Sequence, residues 1–552
     1  MKRDLARLSD ESFDLVIIGG GVYGLSAAWD AALRGLRVAV LEKGDFGAAT
    51  SSGSLKLIHG GLRYLQHLNF ARMRISINER HRMLRIAPHL VHPLEFVMPC
   101  YGHAMKGPEA MRLALLFNDL MSFDRNRGVD RAHAIPNGRT LSPAECLDRL
   151  PGIRREGLTG GAVFYDAQMH NSERLTLSFG LSAAEQGAAL ANYAEVTGFH
   201  VEQDSIRSVI ARDRLSDRMF HVAGRLFLNL TGPWADITSR LLTSPSPDRR
   251  VVRSKGIQLV TRALPPAAAF PIESRQRDLT AVIKRGGRNY FVTPWRGLSI
   301  LGTTDTLYEG SPDEFAITEA DIGEFLAEIN ALYPAGLERK DVRFWIGGMR
   351  PLGDEDTNPE HAKASHKSQI RDHAREGGPS NLISAVGVKY TVCRHIAENL
   401  VDLAVRRLGA AAGRCRTRET PLAGGDTGDF ESFLAESRRV APAGTSEHLA
   451  RNYGTRLRSV LALVSGDPSL ARPLADSTEV LRAEVVHAVR EEMAMRLDDV
   501  VLRRTGLGTL GHPGRPTLEE CARLMAAELG WSPARQADEL AAVERVFTPP
   551  AG

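Results

Sequence analysis

The sequence predicts an α/β protein in which a Rossmann-like unit interweaves with a mixed or antiparallel sheet, followed by an all-α carboxyl-terminal domain. Three observations lead there. An apolar run, a glycine cluster, a helix-compatible stretch and a second apolar run open the chain; short strand-like segments punctuate its middle; and strand patterns stop beyond residue 428.

Residues 13–18 form the first apolar run and end in Gly19, Gly20 and Gly21. Residues 22–33 carry Ala and Leu at helical spacing, and residues 37–41 are β-rich and finish at Glu42, so the opening reads as a βαβ unit. Residues 226–230, 257–260, 290–293 and 298–302 are strand-like, and the last two flank Pro294-Trp295-Arg296-Gly297 as the arms of a hairpin. Residues 1–408 are therefore expected to hold two interwoven domains. Residues 409–428, rich in Gly, Ala and Thr, read as a linker, and residues 429–552 as a helical domain. In that domain Leu481, Val485, Val489, Met493 and Leu497 recur at every fourth position, the stripe of one helix face, whose exposed side is a candidate dimer or docking surface. Gly506 and Gly508 supply a stop, and Thr517 with Glu520 suggests a capping box for a further helix.

At 552 residues, with 43% hydrophobic and 25% charged side chains, the chain is an ordinary globular protein large enough for an enzyme core. Its formal charge of +4 is too small and dispersed to point to nucleic acid. Five scattered cysteines without a C-x-x-C pair exclude a disulfide framework and a zinc ribbon, and suit a reducing, cytoplasmic compartment. Acidic residues Asp4, Asp10 and Glu11 break up the amino terminus against a signal peptide, and the glycines interrupt the longest uncharged stretch before it could span a bilayer. Peripheral attachment to the cytoplasmic membrane face stays open. The spacings of His361, His366 and His373 fit no metal motif, so no metal is expected, and the absence of G-x-x-x-x-G-K-[ST] argues against a P-loop kinase.

Gly19-Gly20-Gly21-Val22-Tyr23-Gly24 fits G-x-G-x-x-G in the strand–turn–helix context that the motif requires. Gly19 permits the turn, Gly21 lets a pyrophosphate approach the backbone, and Gly24 lets helix and strand pack. Glu42 stands where a carboxylate accepts ribose hydroxyls and disfavours a 2′-phosphate. The motif alone does not separate NAD from FAD. The run Ala49-Thr50-Ser51-Ser52-Gly53-Ser54 does, being suited to the diphosphate and ribityl chain of FAD.

These residues resemble the FAD-dependent (aerobic-type) glycerol-3-phosphate dehydrogenases and the related oxidases, within the D-amino-acid-oxidase-like superfamily. The likeness runs through the glycine motif with Asp30 and Arg34-Gly35, Thr50-Ser51-Ser52, the stretch from Leu57 through His59-Gly60-Gly61-Leu62-Arg63-Tyr64 to Leu65, Gly232-Pro233-Trp234 and Gly302-Thr303-Thr304-Asp305-Thr306. It continues in Gly347-Gly348-Met349-Arg350-Pro351-Leu352, in Arg371-Asp372-His373 and in the helical segment from Arg490 to Thr505, covering nearly the whole chain. One motif departs. Where the family has Gly-Gly-Lys followed by Thr-Tyr-Arg, this chain has Gly387-Val388-Lys389-Tyr390-Thr391-Val392-Cys393-Arg394, which leaves a related polyol phosphate open as substrate.

The resemblance implies oxidation of sn-glycerol 3-phosphate to dihydroxyacetone phosphate, with a hydride passing from C2 to flavin N5 and electrons leaving to a quinone or dioxygen. It implies flavin contacts from Gly19, Gly21, Gly24, Glu42, Lys43, Thr50, Ser51, Ser52, Val196, Gly232, Trp234, Gly387 and Lys389. Arg63, Arg350 and Lys389 are the expected phosphate anchors, since an arginine fork meets phosphate oxygens two at a time and lysine adds a point charge. His59 is the expected proton acceptor, with Arg350 beside it at the reacting centre; Tyr64, Thr303 and Asp305 are expected to shape the substrate pocket, and Asp305 is given no proton-transfer role. Two rival readings are a flavin amine or amino-acid oxidase, which needs no phosphate anchors, and a non-catalytic nucleotide-binding regulator.

Overall fold

The computed structural model of the chain describes residues 1–242, 251–265, 268–277, 287–352, 369–387, 389–474 and 479–551. The opening βαβ unit forms as the sequence predicts: strand Ser12–Ile18, helix Val22–Leu33 and strand Val38–Leu41. Strand Ser12–Ile18 pairs in parallel with Val38–Leu41 on one side and with Met219–Asn229 on the other. Leu382–Val386 and Ala189–Ala191 extend the parallel sheet at its two ends. Strands Val38–Leu41 and Ala189–Ala191 are buried throughout, so they read as unbroken apolar runs rather than alternating ones. Helix Val22–Leu33 is buried almost all round because helices Ser172–Glu185 and Cys393–Leu408 pack against it.

A second, antiparallel sheet is built on strand Val252–Thr261, which pairs with Val342–Leu352 on one edge and with Leu298–Gly302 and Thr306–Tyr308 on the other. The predicted hairpin is present, with Thr293 opposite Ile300 and Trp295 opposite Leu298. A third sheet pairs Leu158–Met169 with Val91–Tyr101 and brings the short strand Leu57–Ile58 alongside Gln168 and Ala167.

Residues 409–428 contain no helix or strand and are tied to the first sheet's helices. The Gly413 and Leu422 amides donate to Arg34 and Ile86 carbonyls, and Ala423 donates to Ser182 Oγ. Beyond them lie helices Phe430–Val440, Ser446–Tyr453, Leu457–Gly466, Arg482–Glu492, Arg515–Leu529 and Pro533–Val546.

Two helix expectations are corrected. The Leu481 to Leu497 stripe does not stay on one helix: Arg482–Glu492 ends at Met493, which turns left-handed at φ 56°, and the Met495 and Arg496 amides start a new turn on the Asp499 carboxylate. Leu481, Val485, Met493 and Leu497 are all buried, so the stripe offers no exposed face for a dimer. Thr517 caps nothing. Its helix begins at Arg515 behind Gly514, Thr517 is buried, and Glu520 reaches Arg482 at 2.5 Å instead.

Buried ion pairs join the helical region to the first sheet. Asp45, just past the βαβ unit, accepts from Arg503 Nε at 2.6 Å and from Arg504 Nη1 and Nη2 at 2.6 and 2.8 Å. Burial alone would raise this carboxyl, but the two guanidiniums hold it well below the usual range. Arg174 and Glu492 form a second buried pair at 2.5 Å.

His89 lies under this junction, 1% exposed, with neither ring nitrogen partnered among the described residues. Burial, and then the nearby Arg174 charge, lower it to about 3. A depressed folded value means that the stability tied to neutral His89 is present above the unfolded value near 6.5 and is lost as pH falls below it. Between pH 8 and pH 5 that loss is about 2 kcal/mol. His89→Leu is expected to flatten the fall in melting temperature over this range by one proton's worth, which thermal unfolding at stepped pH will read.

Candidate functional site

A cavity of about 1170 Å³ runs from the glycine turn to the antiparallel sheet. That exceeds the roughly 300–1,000 Å³ of ordinary small-molecule sites and leaves room for a dinucleotide and a small substrate together.

At the first end, Gly19 adopts φ +106°, and a Cβ there would lie 2.6 Å from the Leu230 carbonyl oxygen. Gly24 does not line the cavity; a Cβ there would fall 1.9 Å from the Gly19 carbonyl oxygen, so it sets how closely helix and turn pack. Gly21 and Val22 do line it, and helix Val22–Leu33 has no side-chain cap and no acidic residue in its first turn. The positive helix end therefore opens on the cavity with no acidic residue of its own, an arrangement that fits a diphosphate. Glu42 accepts the Gly20 and Gly44 amides at 2.7 and 2.8 Å, and burial pushes its carboxyl up from its ordinary value. Lys43, Val196, Gly232 and Trp234 complete this end, where Lys43 Nζ stands 4.4 Å over the Trp234 ring and pairs with Asp313 at 2.5 Å.

The hydroxyl-rich loop divides. Thr50 and Ser51 line the cavity: Thr50 Oγ1 donates to the Met349 carbonyl at 2.8 Å, and Ser51 Oγ accepts the Val22 amide at 3.0 Å. Ser52, expected beside them, turns away. Its hydroxyl donates to Ala49 O at 2.8 Å and lines a separate cavity of about 340 Å³ instead. Gly53 lies so close to the next sheet that a Cβ would sit 2.2 Å from the Gly347 carbonyl oxygen, which locks the loop to the strand carrying Arg350. The glycine cradle, the open helix end, the ribose-facing acid and the hydroxyl loop together fit FAD.

At the second end, His59, Arg63, Thr303, Asp305, Arg350, Gly387 and Lys389 all line the same cavity. The backbone of Lys389 is clamped by Tyr23, whose hydroxyl donates to the Lys389 carbonyl at 2.7 Å and accepts its amide at 3.3 Å. A Cβ on Gly387 would meet the Tyr23 ring at 2.2 Å, which explains the glycine there. Lys389 Nζ donates to Tyr64 Oη at 2.6 Å, so Tyr64 supports the lysine rather than lining the cavity itself. On the opposite wall Arg350 pairs with Asp305 at 2.7 Å, and Thr303 Oγ1 accepts from Gln258 Nε2 at 2.8 Å. Phe291 lies between the walls, 6.3 Å from the His59 ring and opposite Gly302 in the hairpin.

Val388, His361 and His366 lie outside the described residues. His373 is buried and shares a hydrogen bond with Ser384 at 2.7 Å. Arg394, which follows the divergent loop, is also buried and serves Glu79 and Glu398. Cys393, in place of the family's tyrosine, has its thiol pushed up to about 12 by burial, as suits an inert packing residue.

Sequence reasoning missed Tyr23, Gln258, Phe291 and Asp166. Tyr23 occupies a variable position of the glycine motif, and Gln258 lies inside a strand that only its apolar neighbours made visible. Asp166 accepts from His59 Nδ1 at 3.2 Å across 107 residues of chain, a separation no local pattern reports.

A family model described as FAD dependent oxidoreductase matches residues 14–396, and one described as the C-terminal domain of alpha-glycerophosphate oxidase matches residues 415–536. Glycerol-3-phosphate dehydrogenase from Synechocystis is 34% identical over 96% of this chain and 95% of its own length. Glycerol-3-phosphate dehydrogenase 2 from Mycobacterium tuberculosis is 32% identical over 96% of this chain and 87% of its own. Among solved structures, the glycerol-3-phosphate dehydrogenase from Bacillus halodurans complexed with FAD matches with a TM-score of 0.77 at 26% identity, covering 99% of this chain and 97% of that one. L-alpha-glycerophosphate oxidase from Mycoplasma pneumoniae shares the fold, with a TM-score of 0.53 at 17% identity over 75% of this chain and 99% of that one. By the FAD-oxidoreductase match to residues 14–396 and by relatives at 34% and 32% identity along nearly all of its length, the chain belongs to the FAD-dependent oxidoreductase family, among the glycerol-3-phosphate dehydrogenases.

Proposed function

We propose that the chain oxidises sn-glycerol 3-phosphate to dihydroxyacetone phosphate with FAD and hands the electrons to a membrane quinone. One observation carries the substrate: three cationic side chains, Arg63, Arg350 and Lys389, face a single cavity whose other end fits a dinucleotide. A small phosphate dianion matches that charge, and the arginine forks meet its oxygens in pairs. An amino-acid substrate offers the three cations a single carboxylate charge in place of a dianion. His59, on the same wall as Arg63, takes the proton of the secondary hydroxyl. When bound, the flavin supplies the two-electron acceptor for the hydrogen on the carbinol carbon. Phe291, apolar and set between the walls, limits the water around the reacting carbon.

An apolar surface patch supports a membrane acceptor. Leu113, Leu116, Leu120 and Phe123, 59–79% exposed, form a single outward stripe along helix Pro108–Met121 and just beyond it. Leu68, Phe70 and Met105 add to the patch, and Phe70 packs on Phe117 at 5.2 Å. Apolar exposure concentrated this way marks a lipid or partner contact. Arg63, Arg112, Arg127 and Arg131 are exposed in the same stretch, which suits an anionic bilayer, and the cavity-lining Arg63 lies seven residues before Phe70. No described helix is long and apolar enough to cross a membrane. The flavin-loaded protein is expected to sediment with anionic vesicles and, on addition of glycerol 3-phosphate but not glycerol, to reduce a quinone embedded in them. A protein that stays in the supernatant and passes electrons only to dioxygen contradicts the acceptor; one that also fails to use glycerol 3-phosphate contradicts the substrate.

A further inference from the structure

His59 is tied into a line of buried charges outside the substrate cavity. Its Nδ1 lies 3.2 Å from Asp166 Oδ2, while Asp166 Oδ1 accepts the Gly60 amide at 2.6 Å and Arg80 Nη1 at 2.8 Å. Asp166 is 5% exposed and Arg80 2% exposed. Three elements converge here: strand Leu158–Met169 supplies Asp166, helix Phe70–Ile86 supplies Arg80, and the turn after strand Leu57–Ile58 supplies His59. The fit is close, since a Cβ on Gly60 would fall 2.1 Å from Arg80 Nη1 and 2.9 Å from Asp166 Oδ1. The backbone of His59 is fixed from the other side, its amide donating to Thr391 Oγ1 at 3.1 Å, two residues beyond Lys389.

A carboxylate only accepts hydrogen bonds, so an ionised Asp166 requires the ring proton on Nδ1 and leaves Nε2, across the ring, with a lone pair. Burial would favour protonated Asp166, but hydrogen bonds from His59 and Gly60 and the Arg80 charge outweigh it and hold the carboxyl below its ordinary value.

We propose that Asp166 is a positioning residue for the oxidation and that Arg80 is its counter-charge. Asp166 fixes the tautomer in which His59 Nε2 receives the substrate's hydroxyl proton, and it stabilises the imidazolium that results. The hydroxyl proton ends on Nε2, the Nδ1 proton stays on His59, Asp166 remains a carboxylate, and the C2 hydride goes to the FAD that the proposed reaction uses. The inference rests on His59 as the proton acceptor of the proposed reaction.

Anaerobic stopped-flow measurement of flavin reduction by glycerol 3-phosphate tests it on four flavin-loaded proteins: wild type, Asp166→Asn, His59→Asn and the double variant. Asp166→Asn is expected to slow reduction by roughly 10²- to 10⁴-fold, the range seen when the aspartate of an Asp–His pair is neutralised. The substrate concentration for half-saturation and the flavin content are expected to stay near wild type. In the His59→Asn background the same change is expected to have no further effect, the non-additivity of groups that act as a unit. An equal fold-loss in both backgrounds overturns the proposal while leaving His59 its role. A wild-type rate in His59→Asn overturns the reading beneath it. Should Asp166→Asn not fold, Asp166→Glu carries the test: a flavin-reduction rate near wild type supports the charge role, and a loss as deep as that of His59→Asn overturns it.

Discussion

Arg350→Ala is expected to lower kcat/KM for glycerol 3-phosphate by roughly 10²- to 10³-fold, equivalent to about 3–4 kcal/mol for truncating one partner of a half-buried charged contact. Two effects add. The substrate phosphate loses a two-pronged donor, and Asp305, which Arg350 holds at 2.7 Å, is left as a negative charge on the wall that a dianion must approach. Slow oxidation of unphosphorylated glycerol, which gains nothing from the anchor, is expected to change far less. Arg350→Lys retains the charge without the planar fork and is expected to fall between the two. Steady-state kinetics with both alcohols separates these cases. A loss equal for glycerol and its phosphate would place Arg350 in the support of the pocket rather than on the ligand.

Gly24→Val is expected to give protein without flavin. A Cβ at this position would sit 1.9 Å from the Gly19 carbonyl oxygen and 3.5 Å from the Ile17 side chain, and the backbone oxygen has no alternative place in a turn whose Gly19 is already left-handed at φ +106°. Helix Val22–Leu33 must therefore shift, carrying away the uncapped amino terminus that faces the cavity. The helix is buried on nearly every side, so the shift also disturbs its contacts with helices Ser172–Glu185 and Cys393–Leu408. Flavin absorbance per chain after purification, together with the melting temperature, checks both consequences. Gly35→Ala is the control, since its Cβ would meet nothing within 4 Å, although its φ of +87° carries a backbone cost of its own.

What could be read from the chain was local. The βαβ unit showed because its turn, helix and acid fall within about thirty residues and each obeys a steric rule at short range. The hairpin across Pro294 and Gly297 showed for the same reason. The interior of the cavity was only half legible. Arg63, Arg350 and Lys389 sit in recognisable motifs, yet their shared cavity depends on three sheets meeting, and Asp166 and Gln258 lie inside ordinary strands. Long-range charge decided the rest. Helical periodicity carries the 481–497 stripe straight through Met493, but Glu492 is committed to Arg174 more than three hundred residues earlier, and Asp499 draws the following amides into a new turn. Likewise Glu520 answers to Arg482 rather than to Thr517. In each case the local pattern was real and a charged partner outside it overrode it.

The central claim is that one cavity seats the flavin at one end and a phosphorylated alcohol at the other. Anaerobic titration of the flavin-loaded protein tests it most directly, with the oxidised absorbance followed as each alcohol is added. Complete bleaching by one equivalent of sn-glycerol 3-phosphate, with glycerol at the same concentration leaving the colour intact over the time that this bleaching takes, is the predicted result. Flavin that stays oxidised with the phosphate ester, or that bleaches equally with an amino acid, would contradict it.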